Sequence, residues 1–158
     1  LLRGQILFRL RRLEEAAASI EQALRLRPQE ADGYTCLAHI RAAQDRPEEA
    51  LELYGRSLRL RPDHMETMTE MATAYRRLGR QGEALELYRK ALLLFPENGI
   101  LRNNCGLAYG EAGDAAAGIA MLEQAVALAP AVTPYRFNLA QLYEMPGSQL
   151  NPPAVPRG

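Results

Sequence analysis

The sequence has no surplus charge, no long apolar run, only two cysteines and a single lysine, Lys90. Lys and Arg together number 19, and so do Asp and Glu. A neutral chain with no basic-aromatic platform gives nucleic acid little to hold, so no nucleic-acid partner is expected. A membrane span needs ~20 apolar residues. Runs such as Ala91–Phe95 stop far short of that and read as the end of a buried helix face, so no membrane partner is expected either. Two cysteines make no disulfide framework, and a reducing, cytoplasmic compartment is the expectation. Neither a Cys-x-x-Cys nor a His-Glu-x-x-His spacing occurs, and no metal or cofactor is implied. The chain opens at Leu1 with no initiator methionine and no visible secretory signal, and is read as a fragment of a longer protein.

What the sequence does have is a period. Pro28, Pro62, Pro96 and Pro130 stand 34 residues apart, and a fixed step of this size marks stacked repeats. With proline at position 32, the units run 31–64, 65–98 and 99–132, preceded by a truncated unit 1–30 and followed by a half unit 133–145. Small residues recur at position 8 (Gly4, Ala38, Ala72, Gly106, Ala140), at position 20 (Ala16, Ala50, Ala84, Gly118) and at position 27 (Ala23, Ser57, Ala91, Ala125). They mark close approaches of two helices, and large residues fill the space left at position 24 (Ile20, Tyr54, Tyr88, Leu122) and position 11 (Leu7, Tyr75, Tyr109, Tyr143).

A short turn lies between positions 8 and 20: Asp45-Arg46-Pro47, Gly79-Arg80-Gln81-Gly82, Gly113-Asp114. Glycine there supplies the positive φ that ends a helix, Asp114 can cap the next, and Pro47 suits a first helical turn. The position-32 proline closes the second helix. Each unit is therefore helix A, tight turn, helix B. Neither helix buries its apolar face alone, so the units must stack. Arg25, Arg27, Arg59 and Arg61 fall at helix C-termini, where cations complement the dipole. Cys105 is expected in the core, His64 as a solvated loop residue, and residues 146–158 as a proline-rich extended or disordered tail.

This pattern resembles the tetratricopeptide repeat family. The unit 65–98 carries the resemblance best, with Met71-Ala72, Tyr75, Leu78-Gly79, Glu83-Ala84, Tyr88, Ala91-Leu92 and Pro96, and the likeness extends over residues 1 to 145 as one repeat domain. Four residues depart from the family pattern: Arg102 and Arg136 at position 4, Arg41 at position 11 and Gly118 at position 20. The resemblance implies an all-α fold, a right-handed superhelical stack of antiparallel helix pairs (an α-solenoid), with helices A lining a concave groove. Among the side chains it places there are Thr35, His39, Glu66, Thr69, Glu70, Thr73, Asn103, Asn104, Asn138 and Gln141. Asn104 and Asn138, one repeat apart, would offer donor and acceptor together to a peptide backbone. Asp32, Glu66 and Glu70 make the middle of the groove acidic, favouring a partner of basic or mixed charge. The lysine and arginine set that grips a chaperone's C-terminal carboxylate is missing from every three consecutive units.

The expected function is a non-enzymatic scaffold for protein–protein interaction, binding a peptide or a partner helix in that groove. The alternative is the substrate-recruiting repeat region of a larger enzyme, such as a glycosyltransferase. Self-association is a third route, since the half unit leaves its helix A partly uncovered for another copy's end repeat.

Overall fold

The computed structural model describes residues 1–145; the proline-rich segment 146–158 lies outside them. Among the described residues there are nine α-helices and no strand: α1 Leu2–Arg9, α2 Leu13–Leu26, α3 Ala31–Ala43, α4 Pro47–Leu60, α5 Met65–Arg77, α6 Gln81–Leu94, α7 Gly99–Glu111, α8 Ala115–Leu128 and α9 Thr133–Tyr143. None of these is long and apolar enough to cross a membrane. The chain forms two compact units, the first Leu1–Arg80 and the second beginning at Gln81.

The period is visible first in the backbone. Position 15 of each unit is left-handed: Arg11 (φ 61°), Asp45 (φ 60°), Gly79 (φ 72°) and Gly113 (φ 86°). At each of these turns the next N–H reaches back five residues, as in Arg80 N to Tyr75 O (2.9 Å) and Asp114 N to Tyr109 O (2.9 Å). The left-handed residue itself donates three residues back, as in Gly79 N to Arg76 O (3.0 Å). This paired pattern is the Schellman closure of a helix C-terminus. At the other end, helix B stops two residues before each position-32 proline, because the residue preceding proline is forced out of the α region. Arg27, Arg61 and Ala129 accordingly sit at φ −135°, −139° and −145°. Asp114 caps α8 through Ala117 N (3.0 Å), as its position suggested, and Asn98 caps α7 through Leu101 N (2.9 Å).

Packing follows from the small residues. Ala16, Ala38, Ala50, Ala72, Ala84, Ala91 and Ala125 are all fully buried, and so are Ile20, Tyr54, Tyr88 and Leu122 beside them. Two glycines meet backbone to backbone where α7 crosses α8. A Cβ added to Gly106 would lie 2.8 Å from Leu122 Cγ and 2.9 Å from Gly118 O. One added to Gly118 would lie 2.5 Å from Leu142 Cδ2 and 2.7 Å from Gly106 O. Gly118 is therefore required by its neighbours, since backbone oxygens cannot yield. Cys105 is buried, and burial pushes its thiol up to about 11, as fits a small core residue.

Two other departures from the repeat pattern, Arg102 and Arg41, also have structural work. At position 4, Tyr34 donates its hydroxyl to Pro28 O (3.1 Å) and Arg102 donates Nη2 to Pro96 O (2.6 Å). Two unlike side chains thus satisfy the same carbonyl, that of the position-32 proline in the loop after helix B. At position 11, Arg41 is largely buried and donates Nη2 to Glu21 Oε1 (2.5 Å). Tyr109 accepts from Arg89 Nε (2.9 Å), and Tyr143 donates to Glu123 Oε1 (2.7 Å). Each partner stands 20 residues earlier, on helix B of the preceding repeat. Position 11 is thus a polar clamp between adjacent repeats as well as a space filler.

Two stability outcomes follow. Gly118→Ala lowers stability by about 1–2 kcal/mol in urea unfolding, the overpacking outweighing the gain in helix propensity. Arg11→Gly raises it by about 0.5–1 kcal/mol, because a left-handed arginine is strained.

Candidate functional site

In the first compact unit, helices α1, α3 and the start of α5 enclose a recess of about 560 Å³. Its apolar wall is Leu2, Ile6 and Phe8 of α1; its polar side carries Gln5, Asp32, Cys36, His39, Arg61, His64 and Glu66. Leu2 and Ile6 are one helical turn apart and are 72% and 50% exposed, so α1 presents apolar surface to solvent here.

The polar side is partly wired. Arg61 Nη2 lies 3.0 Å from Asp32 Oδ1, and His64 Nε2 lies 3.8 Å from the same oxygen. Asp32 is thereby paired with Arg61 of the α4–α5 loop, which leaves Glu66 and Glu70 as the acidic groups without an arginine at this distance. His64 Nδ1 is 2.6 Å from Thr67 Oγ1. His64 is thus half-buried and doubly engaged rather than solvated, because the loop folds back over α3. Gln5 Nε2 donates to Cys36 Sγ at 3.4 Å. Asp32, Cys36 and His39 share a helical face but have separate partners. Among the described residues no group of three or more His, Cys, Asp or Glu could hold a metal ion.

Of the groove residues expected in this unit, Thr35 lines the recess from a buried position. Its hydroxyl lies 2.8 Å from Ser57 Oγ, 2.7 Å from Thr67 Oγ1 and 3.4 Å from Ala31 O. The set closes when Thr35 donates to the Ala31 carbonyl, Ser57 and Thr67 donate to Thr35, and His64 donates to Thr67. The Thr35 hydroxyl ties α3 to α4 and α5. Thr69 spends its hydroxyl on Met65 O (2.8 Å). His39 stands edge-on to Tyr54 (centroids 5.7 Å apart), with Nε2 4.0 Å from Glu70 Oε2. Burial first, then the charges of Glu70 and Glu66, hold the Tyr54 phenol well above its ordinary pKa. Thr73 and Glu70 line a second recess of about 380 Å³ with Tyr54, Arg77 and Pro47.

In the second unit the structure brings three asparagines together. Asn138 Nδ2 donates to Asn103 Oδ1 (2.8 Å), and Asn103 Nδ2 donates to Asn104 Oδ1 (3.1 Å). Asn103 is buried, so it is the bridge of the amide chain and not its exposed face. Asn104 and Asn138 are half-buried, and Gln141 is exposed. Leu2, Ile6, Phe8, Arg61 and His64 were not among the site residues expected from sequence. The Leu2–Ile6 spacing on α1 was the one available signal.

The fold and these contacts define a repeat protein of helical hairpins, and the comparisons name its kind. The chain belongs to the tetratricopeptide repeat family: models described as tetratricopeptide repeat match residues 29–97 and residues 1–30 and 101–132. Among solved structures it is similar to MamA of Desulfovibrio magneticus, with TM-score 0.80 and 20% identity over 89% of this chain and 79% of that one. A thermophilic TPR protein of Thermus thermophilus gives TM-score 0.73 and 27% identity over 90% of this chain and 79% of its own. YrrB, described as a TPR protein with an unusual peptide-binding site, gives TM-score 0.73 and 18% identity over 89% of this chain and 72% of its own. No curated protein gives a match.

Thr35→Val leaves Ser57 and Thr67 without their buried acceptor. It lowers stability by about 1–3 kcal/mol in urea unfolding, while Thr35→Ser keeps most of it.

Proposed function

We propose that this chain is a protein-interaction scaffold that holds a peptide or the face of a partner helix against its A helices. The recess on α1, α3 and α5 carries the reading: an apolar wall faces a row of polar side chains, the combination that an amphipathic segment needs. The second unit by itself offers half-buried amide groups at Asn104 and Asn138, each able to donate and accept. The likeness to YrrB, a protein described as having a peptide-binding site, supports the same use of the fold. With Asp32 paired to Arg61, the acidic groups left for a partner are Glu66 and Glu70, which favours a segment of mixed charge with at least one basic residue. The reading assigns no catalytic step to the chain.

Site-specific photo-crosslinking tests it. A benzophenone side chain at Gln5 or Glu66 captures a polypeptide partner, whereas one at Glu52, exposed on α4, does not. Leu2→Asp with Ile6→Asp, which removes the apolar wall of the recess, weakens capture roughly tenfold at unchanged helicity. Capture from Glu52 alone, with none from the recess, overturns the reading.

A further inference from the structure

We propose that α9 is a homodimerisation helix, on which two copies of this chain pair antiparallel about Ala140, with Arg136 of each facing the partner's Glu144. The inference does not depend on the groove reading.

Three observations carry it. First, α9 exposes the position that α3 and α5 bury. At position 8, Ala38 and Ala72 are 0% exposed, and Gly106 lies against α8. Ala140 occupies the same position and is exposed. A small residue at a helix crossing lets a second helix approach closely. Second, the exposed face is continuous. Thr133, Arg136, Phe137, Ala140, Gln141 and Glu144 are all exposed, at the i, i+3, i+4, i+7 spacing of one helical stripe. Phe137 is 62% exposed and supplies a large apolar group beside Ala140.

Third, the charges on that stripe are self-complementary under one symmetry only. Arg136 lies four residues before Ala140 and Glu144 four residues after it. A two-fold axis through Ala140 reverses the second helix and sets each Arg136 level with the partner's Glu144, so both ends of the contact attract. A parallel pair would set Arg136 on Arg136 and Glu144 on Glu144, and both ends would repel. Such an isologous contact uses one patch on both copies and closes at two. The helix is short, about 16 Å at 1.5 Å per residue, so the interface is small and the dissociation constant is expected at roughly 10–100 μM.

Sedimentation equilibrium on the full chain between about 5 and 500 μM tests the proposal across that range of dissociation constants. The expected result is a reversible dimer, with Arg136→Glu and Glu144→Arg each weakening it roughly tenfold or more at unchanged helicity. The variant carrying both reversals dimerises as the wild type does. An equimolar mixture of the two single variants forms a heterodimer more tightly than either forms a homodimer, because opposite charges then meet at both ends. A chain that stays monomeric through the range overturns the proposal. So does a dimer indifferent to both single reversals, or a mixture that pairs no better than its components.

Discussion

The structure rests on the close approach of helix A to helix B at positions 8 and 20. Gly106 and Gly118 show the constraint at its limit, with each glycine's missing side chain replaced by the other's backbone oxygen. Once two helices are this close, their bulky neighbours have no room within the hairpin. Ile20 and Tyr54 in the first unit and Leu122 in the second are buried beside the crossings. Solvent is left to the outer faces, and the recess lined by α1 and α3 is one of them.

Adjacent repeats are also joined by polar contacts that a hydrophobic reading of the period does not suggest. The clamp from position 11 to helix B of the preceding repeat uses Arg41 with Glu21, Tyr109 with Arg89 and Tyr143 with Glu123. The sign of the pairing changes, yet the geometry does not. Where position 25 is Gly55 the clamp has no side chain to use, and Tyr75 instead packs its ring under Arg80, 4.6 Å from the ring centroid. Arg41 and Arg102 looked like defects when each was compared with an apolar consensus. They are donors aimed at particular acceptors, and those acceptors lie 20 and six residues away in the chain.

The helices, their order and their turns were legible because their causes are local. A left-handed residue at Gly79 or Gly113 and a proline at position 32 act within about five residues of themselves, so the spacing of those residues suffices. The site was less legible. A helical wheel gives the direction of a side chain, not what it meets. Position alone puts Thr35 and Asn103 on the groove side; it does not show that both are buried, with their polar groups engaged by Ser57, Thr67 and Asn138 on other helices. His64 was read as solvated because it sits in a loop, but Asp32 and Thr67 hold it.

By itself, then, the sequence determined the repeat length, the helical hairpin and the places where helices cross, because backbone sterics and small-residue spacing are short-range properties of the chain. Tertiary structure alone decided which polar side chains are spent inside the fold and which remain for another molecule. That choice depends on partners brought together from 10 to 35 residues away, and only the packed arrangement sets their distances.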